Sequence, residues 1–242
     1  MTALLINANN TNTTFALANE RRILRVKTMP TTAISGIPFR PATYNSAVLA
    51  SVVPSATRKL RRYMSVTSII VNAGADLGIG IRYPQPKQIG ADRLANAVGV
   101  VQLYGAPAIV VDFGTAVTFD IVNARREYIG GVIAPGLASV TDYLYQRTAL
   151  LPRITLAEPR SAVGKSTEEA MRVGAVVGYR GLVKEILAVL RREAGMRKAI
   201  VVATGGYGDL IAKKIPEIEH VNPMLTLEGL RFIYLRNYCE SH

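Results

Sequence analysis

Residues 109–120, IVVDFGTAVTFD, set an acid, a glycine and several small or hydroxyl residues between two apolar runs. Ile109, Val110 and Val111 are β-branched and read as a buried strand, Gly114 and Thr115 supply a tight turn, and Val117 to Val122 resumes strand composition. The stretch predicts a β-turn-β unit with Asp112 at its mouth. Glycine lets the backbone approach an oxyanion, threonine hydroxyls and turn N–H groups donate hydrogen bonds, and a carboxylate holds a cation that neutralises phosphate charge. On these residues alone an ordinary hairpin with a polar turn is the competing reading.

The unit occurs a second time. Residues 4–17, LLINANNTNTTFAL, run from an apolar strand through Asn7 and a turn of Asn9, Asn10 and Thr11 back into strand at Thr13, Thr14 and Phe15. With a one-residue gap, Asn7 corresponds to Asp112, Asn9 to Gly114, Thr11 to Thr115 and Phe15 to Phe119. Two similar halves, each presenting a phosphate-facing hairpin, predict a nucleotide clamped between two domains.

Length and composition are those of a globular chain: 242 residues, 49% hydrophobic, which is material for one or two cored domains. Lys and Arg number 29 against 17 Asp and Glu, a net charge of +12 that favours anionic partners. The one dense basic cluster, Arg58 to Arg62 (RKLRR), lacks aromatic interleaving and the chain has no tryptophan, so it reads as a solvated helix face and argues against nucleic acid. The apolar stretch at 97–111 is broken by Gln102, Gly105 and Pro107, so no membrane span is expected. A single cysteine, Cys239, excludes an intrachain disulfide and a cysteine metal site. With no signal-type N-terminus, a cytoplasmic setting is expected. His220 and His242 are too separated for a metal cluster and read as bystanders.

In order, ILRVKT predicts a third strand ending near Pro30, residues 31–45 a loop, and Ala47 to Val53 a strand closed by Pro54. A short basic helix should run from a Ser55 cap to Tyr63, with another strand over 68–72. Alternating strands and helices predict an α/β fold with mixed sheets. Two prolines extend the loop RYPQPKQIGADR at 82–93, and Gly90 turns it into a helix running to about Tyr104. Asp92 is either a helix cap or a base that takes a proton from a substrate hydroxyl, with Arg93 holding the substrate's anionic end. Strand 128–137 leads to a helix over about 138–148. GKST at 164–167 is similar to the tail of a P-loop, but Pro159 stands where that motif needs its first glycine, so a P-loop is excluded and the segment reads as a helix cap. The long helix that follows carries Gly174, Gly178 and Gly181, suited to close packing and a subunit interface. Ala199 to Ala203 should be the last strand, ending in the open turn Thr204-Gly205-Gly206, before a terminal helix over 225–238.

Taken together these residues resemble the type III pantothenate kinases, within the superfamily of actin, the sugar kinases and the heat-shock ATPases. The resemblance spans nearly the whole chain: SVVP at 51–54, Tyr83 with Pro86, GADR at 90–93, DFGTAVTFD at 112–120, GGVIAPGL at 130–137, GKST at 164–167, TGG at 204–206 and LTLEGLRFIY at 225–234. It implies two actin-like ATPase domains, 1–107 and 108–242, with mixed sheets around a nucleotide cleft, the terminal helix packing back on the first. It implies transfer of the ATP γ-phosphate to pantothenate, the first step toward coenzyme A, by a homodimer using a divalent metal such as magnesium and a monovalent cation, potassium or ammonium. Matched by position, Asp92 is the general base. Tyr83, Gly90, Ala91, Arg93 and Thr167 are pantothenate contacts. Asp112 is the monovalent-cation ligand. Asn7, Asn9, Asn10, Thr11, Thr115, Gly205 and Gly206 surround ATP.

One departure bears on activity. The family carries aspartate and glycine where this chain has Asn7 and Asn9. Asparagine tolerates the left-handed turn conformation and preserves the loop. A neutral amide at position 7 does not replace a carboxylate that organises the metal on the phosphates; a loss of about 3–4 kcal/mol of transition-state stabilisation would slow turnover roughly 100- to 1000-fold. Val117 replaces a family threonine or serine, a milder change. Two functions follow: a pantothenate kinase, slowed by Asn7, or a weakened homologue that binds ligand and acts as a regulator.

Overall fold

The structure, a computed structural model, describes residues 2–193 and 195–238. Cys239 and His242 lie outside the described residues. Among those described, no helix is long and apolar enough to cross a membrane.

The chain opens with three antiparallel strands, β1 (Thr2–Ala8), β2 (Asn12–Asn19) and β3 (Ile23–Pro30), followed by β4 (Ser46–Ser51), α1 (Pro54–Tyr63) and β5 (Thr67–Ile70). Then come β6 (Gly80–Ile81), α2 (Ala91–Tyr104), β7 (Ala108–Phe113), β8 (Ala116–Val122), β9 (Glu127–Pro135), α3 (Leu137–Arg147) and α4 (Thr167–Leu190). The last elements are β10 (Ile200–Thr204), α5 (Gly208–Ala212), β11 (His220–Val221) and α6 (Leu225–Tyr238).

The first sheet has the order β3-β2-β1-β4-β5, and the second β11-β10-β7-β8-β9-β6. Read from β9 to β11, the second repeats the first strand for strand. The repeat extends to single residues. Asn7 and Asp112 are each the penultimate residue of their strand, Phe15 and Phe119 each the fourth of theirs. The turn is 9–11 in one hairpin and 114–115 in the other, which is the one-residue gap. In the parallel ladders Asn7 pairs with Ala50, and Asp112 with Thr204.

Several local expectations are corrected. Ser55 does not cap α1: the helix starts at Pro54, with Val53 at the cap making no side-chain bond. Proline at the first helical position has its φ already set and lacks an N–H that would go unpaired there. The strand expected over 68–72 is Thr67–Ile70, because Asn72 turns the chain, its Oδ1 accepting from Gly74 N at 2.8 Å. Segment 31–45 holds two short 3-10 turns, Thr31–Ala33 and Pro41–Thr43. The strand ending in Thr204 is not the last, since β11 follows and pairs parallel with β10; two residues are too few to show periodicity.

By contact, the chain divides into one unit of Met1–Ala106, Asp120–Gly130 and Met224–His242, and another of Pro107–Phe119 and Gly131–Pro223. In the first, alternate residues Leu4, Ile6 and Ala8 of β1 join Phe15, Leu17, Ala47 and Leu49 in a core closed by Ala56 and Leu60 of α1. Ala3 and Leu5, also buried, face the other side of the sheet, and α6 packs on β1 and β4 with α2 against it. The α2–α6 crossing is backbone to backbone: a Cβ at Gly229 would stand 1.8 Å from Ala95 O, and one at Gly99 2.6 Å from Leu225 O. Beside it, Thr226 Oγ1 donates to the buried Asn96 Oδ1 at 2.7 Å.

That crossing tolerates no methyl group. Gly229→Ala is expected to force the helices apart at a cost of about 2–3 kcal/mol, lowering the thermal midpoint by roughly 5–10 °C. An unchanged midpoint in a melting curve would show that the crossing relaxes freely.

Candidate active site

In the first unit, α2 carries Ala91, Asp92 and Arg93 in its first turn, and Gly90 is its N-cap with no side-chain cap bond. Asp92 is therefore not the cap. Its Oδ1 accepts from the backbone N–H of Arg93 at 2.8 Å. A Cβ at Gly90 would sit 2.6 Å from that oxygen, so glycine is what allows the carboxylate to lie against the helix start. Burial pushes the Asp92 carboxyl above its ordinary value, although the Arg93 N–H and the Arg93 charge pull it down. A raised value makes the carboxylate a stronger base.

Arg93 is held from behind. Its Nε donates to Asp120 Oδ1 at 2.6 Å, and Asp120 is fully buried. Tyr128, also fully buried, directs its hydroxyl at the same oxygen at 3.4 Å and lies with its ring 5.7 Å from the Arg93 guanidinium. Tyr83 meets Tyr128 edge to face, centroids 6.2 Å apart. Burial acts to lower the Arg93 pKa, and the Asp120 charge and hydrogen bond, together with Tyr128 and Asp92, more than offset it. Asp120 and Tyr128 are the residues sequence reasoning missed. The available signal was an acid inside the otherwise apolar run Phe119, Asp120, Ile121, Val122, since a buried carboxylate needs a partner.

The β1–β2 hairpin belongs to the same unit. Thr31 braces its turn, donating from Oγ1 to Asn9 O at 2.6 Å and from N to Thr11 O at 3.0 Å. Val52 of the SVVP stretch donates its N–H to Ala8 O at 3.1 Å, and its Cγ1 lies 3.4 Å from where a Gly90 Cβ would be. Those residues tie the hairpin to the start of α2. Asn10 and Thr11 are exposed. The Oδ1 atoms of Asn7 and Asn9 are buried with no hydrogen-bond partner. A buried acceptor left so costs about 1–3 kcal/mol, and two such oxygens fit a water or a hard cation. Among the described residues no cluster of three or more His, Cys, Asp or Glu could cage a metal. A divalent ion here would draw its other ligands from phosphate oxygens and water, as magnesium commonly does.

In the second unit the β7–β8 hairpin is packed as closely. Gly205, with φ +87°, lies where a Cβ would be 2.5 Å from Asp112 Oδ1 and 2.7 Å from the Phe113 backbone. A Cβ at Gly136 would be 2.2 Å from Thr115 O, and Ser139 Oγ donates to that carbonyl at 3.3 Å. The structure thus sets Gly205 against Asp112, and Gly136 and Ser139 against Thr115, with Gly206 in open space. Thr167, exposed, is the first residue of α4. Ser166 caps that helix by accepting from Glu169 N at 3.2 Å, and Glu169 reaches back to Lys165 N at 2.8 Å. A Cβ at Gly164 would be 2.2 Å from Ala170 N, so GKST is a helix start folded on itself. The preceding segment is tied to α4 by Arg180, which donates to both Glu158 oxygens at 3.0 and 2.5 Å and to Leu210 O at 2.6 Å.

Residues 3–189 match the family model described as type III pantothenate kinase. A type III pantothenate kinase of Akkermansia muciniphila is 52% identical over 236 residues, 96% of this chain and 97% of that protein. One from Methylacidiphilum infernorum is 41% identical, covering 95% of this chain and 87% of the relative. Among solved structures, the activator of 2-hydroxyisocaproyl-CoA dehydratase from Clostridium difficile, with bound ADPNP, superposes with a TM-score of 0.57 at 12% identity, over 100% of this chain and 96% of that one. The ethanolamine utilization protein EutJ of Carboxydothermus hydrogenoformans gives 0.54 at 9% identity, over 96% and 90%. At such identities the likeness is one of fold, the actin-like ATPase fold.

Proposed function

The chain belongs to the type III pantothenate kinase family, and from that premise we propose how its residues share the transfer of a phosphoryl group from ATP to pantothenate, the first step toward coenzyme A. The observation that carries the assignment is Asp92, a desolvated carboxylate of raised pKa beside an arginine whose own position is set by a buried acid.

Asp92 accepts the proton of the pantothenate hydroxyl as that oxygen bonds to the γ-phosphorus and the bond to the ADP oxygen breaks. Arg93 holds the pantothenate carboxylate, with Tyr83 as a wall and Gly90, Ala91 and Thr167 as further contacts. The turn donors of Asn9, Asn10, Thr11 and Thr115 are assigned to ATP phosphates, and the Gly205-Gly206 turn, open at Gly206, to its nucleoside. Phosphoryl transfer asks the protein for position and charge neutralisation more than for covalent chemistry. Asn7 and Asn9 are the residues whose Oδ1 atoms would hold a divalent ion, which would supply neutralisation of the phosphate charge. Asp112 is assigned to a monovalent cation, potassium or ammonium.

Helix α4 is assigned to a homodimer contact. A Cβ at Gly174, Gly178 or Gly181 would meet nothing within 4 Å, and Val177 between them is 48% exposed. Sedimentation at twice the chain mass tests it. A single cysteine fits the reducing cytoplasm.

The deciding experiment is a coupled assay with pantothenate, ATP, magnesium and ammonium. Phosphorylated product formed in proportion to enzyme is expected. None above background at high enzyme concentration would overturn the assignment.

A further inference from the structure

We propose that Asp120, with Tyr128, is the positioning residue that makes Arg93 a reader of the substrate's carboxylate, and so sets the enzyme's preference for an acid over its neutral analogue. This rests on pantothenate being the substrate. The reasoning starts from what a guanidinium does unaided: it rotates about its stem, and it binds a carboxylate well when its fork is held in one orientation. Here the orientation is held. Asp120 is fully buried and takes the Nε hydrogen at 2.6 Å, while the Arg93 side chain is 14% exposed. Among the described residues Asp120 is its only ion-pair partner, reached through Nε alone. The two terminal nitrogens thus keep their donors for a ligand.

Tyr128 adds two constraints. Its hydroxyl donates to the oxygen that Arg93 uses, fixing the carboxylate's rotation, and its ring lies against the guanidinium. Tyr83 extends the same wall, edge-on to Tyr128. Gly130, at φ +141°, opens space there, since even a Cβ would stand 3.7 Å from the Tyr83 ring. Asp120 touches no substrate in this arrangement. It acts through Arg93, and the adjoining Asp92 keeps its own place through the Arg93 backbone N–H.

The test compares pantothenate with the analogue in which CH2OH replaces the carboxylate, measuring kcat/KM for both in the wild type, Asp120→Asn and Tyr128→Phe. A site built to bind a charged group rejects the analogue that lacks it. The wild type should prefer pantothenate by on the order of 100-fold. Asp120→Asn should reduce that ratio to within about 3-fold, mainly by raising the KM for pantothenate, with the KM for ATP unchanged. Tyr128→Phe, which removes one hydroxyl and keeps the ring, should fall between. A wild type inactive on both compounds would overturn the pantothenate assignment and this inference with it. A wild type that discriminates, and an Asp120→Asn enzyme that discriminates equally or loses both activities in parallel, would overturn this inference alone. If Asp120→Asn does not fold, a folded Tyr128→Phe enzyme with the full wild-type ratio overturns it as well.

Discussion

Asp92→Asn is expected to lower turnover about 100- to 10,000-fold, the usual worth of general-base assistance, while the folded protein becomes more stable at neutral pH. Both effects come from one observation: burial holds the carboxyl above its ordinary value. In the unfolded chain the group titrates normally, so between the unfolded and folded values the native state binds more protons. Stability from Asp92 is fully present below the unfolded pKa and is lost as pH rises through the folded one. Asparagine, which never ionises, avoids that loss. The variant's advantage in melting temperature should therefore be absent in acid and appear above the ordinary carboxylate range. The wild-type kcat/KM should fall as pH drops through the raised value, and the variant's residual activity should lack that limb. A variant that melts earlier at neutral pH with turnover unchanged would make Asp92 a structural residue.

Asn7→Asp is expected to raise turnover at low magnesium, by up to roughly the 100- to 1000-fold that 3–4 kcal/mol of transition-state stabilisation represents. Asn7 holds the position in β1 that Asp112 holds in β7, and its Oδ1 is buried without a partner. A carboxylate there would offer charge where the amide offers a dipole, and a metal-bearing nucleotide would relieve its desolvation. In the absence of nucleotide the same carboxylate is uncompensated, so the variant alone should melt earlier than the parent and gain more from added magnesium and ADP. The thermal shift reads binding separately from rate. Equal shifts together with an unchanged magnesium curve would mean that the amide and its bound water already organise the metal.

Much of the architecture was legible because continuous apolar runs, which become strands buried along most of their length, and tight turns are local. The hairpin at 109–120 and its repeat at 4–17 were readable from β-branched runs, Gly114 and the asparagines. Alternating strands and helices gave mixed sheets, whereas the strand order that the two sheets share came from the structure. The helix start at Gly90–Ala91 was readable as well, as was the exclusion of a P-loop at Pro159. Small misreadings came from competing local signals. Proline at a strand end can also open a helix, as Pro54 does, and a serine beside it looks like a cap.

By itself the sequence determined the family, the doubled hairpin and the candidacy of Asp92, since each depends on residue types at short or ordered spacing. The tertiary structure alone decided which side chains act on one another. Asp120 lies in β8 and Arg93 in α2, 27 residues apart, and no periodicity in either element reports the other. The base strength of Asp92 is a matter of how much water its neighbours exclude, and the contact of Gly229 with Ala95 O depends on the meeting of two helices far apart in the chain. Desolvation and close backbone approach arise only when distant segments occupy adjacent space, and for that reason no local reading of these residues contains them.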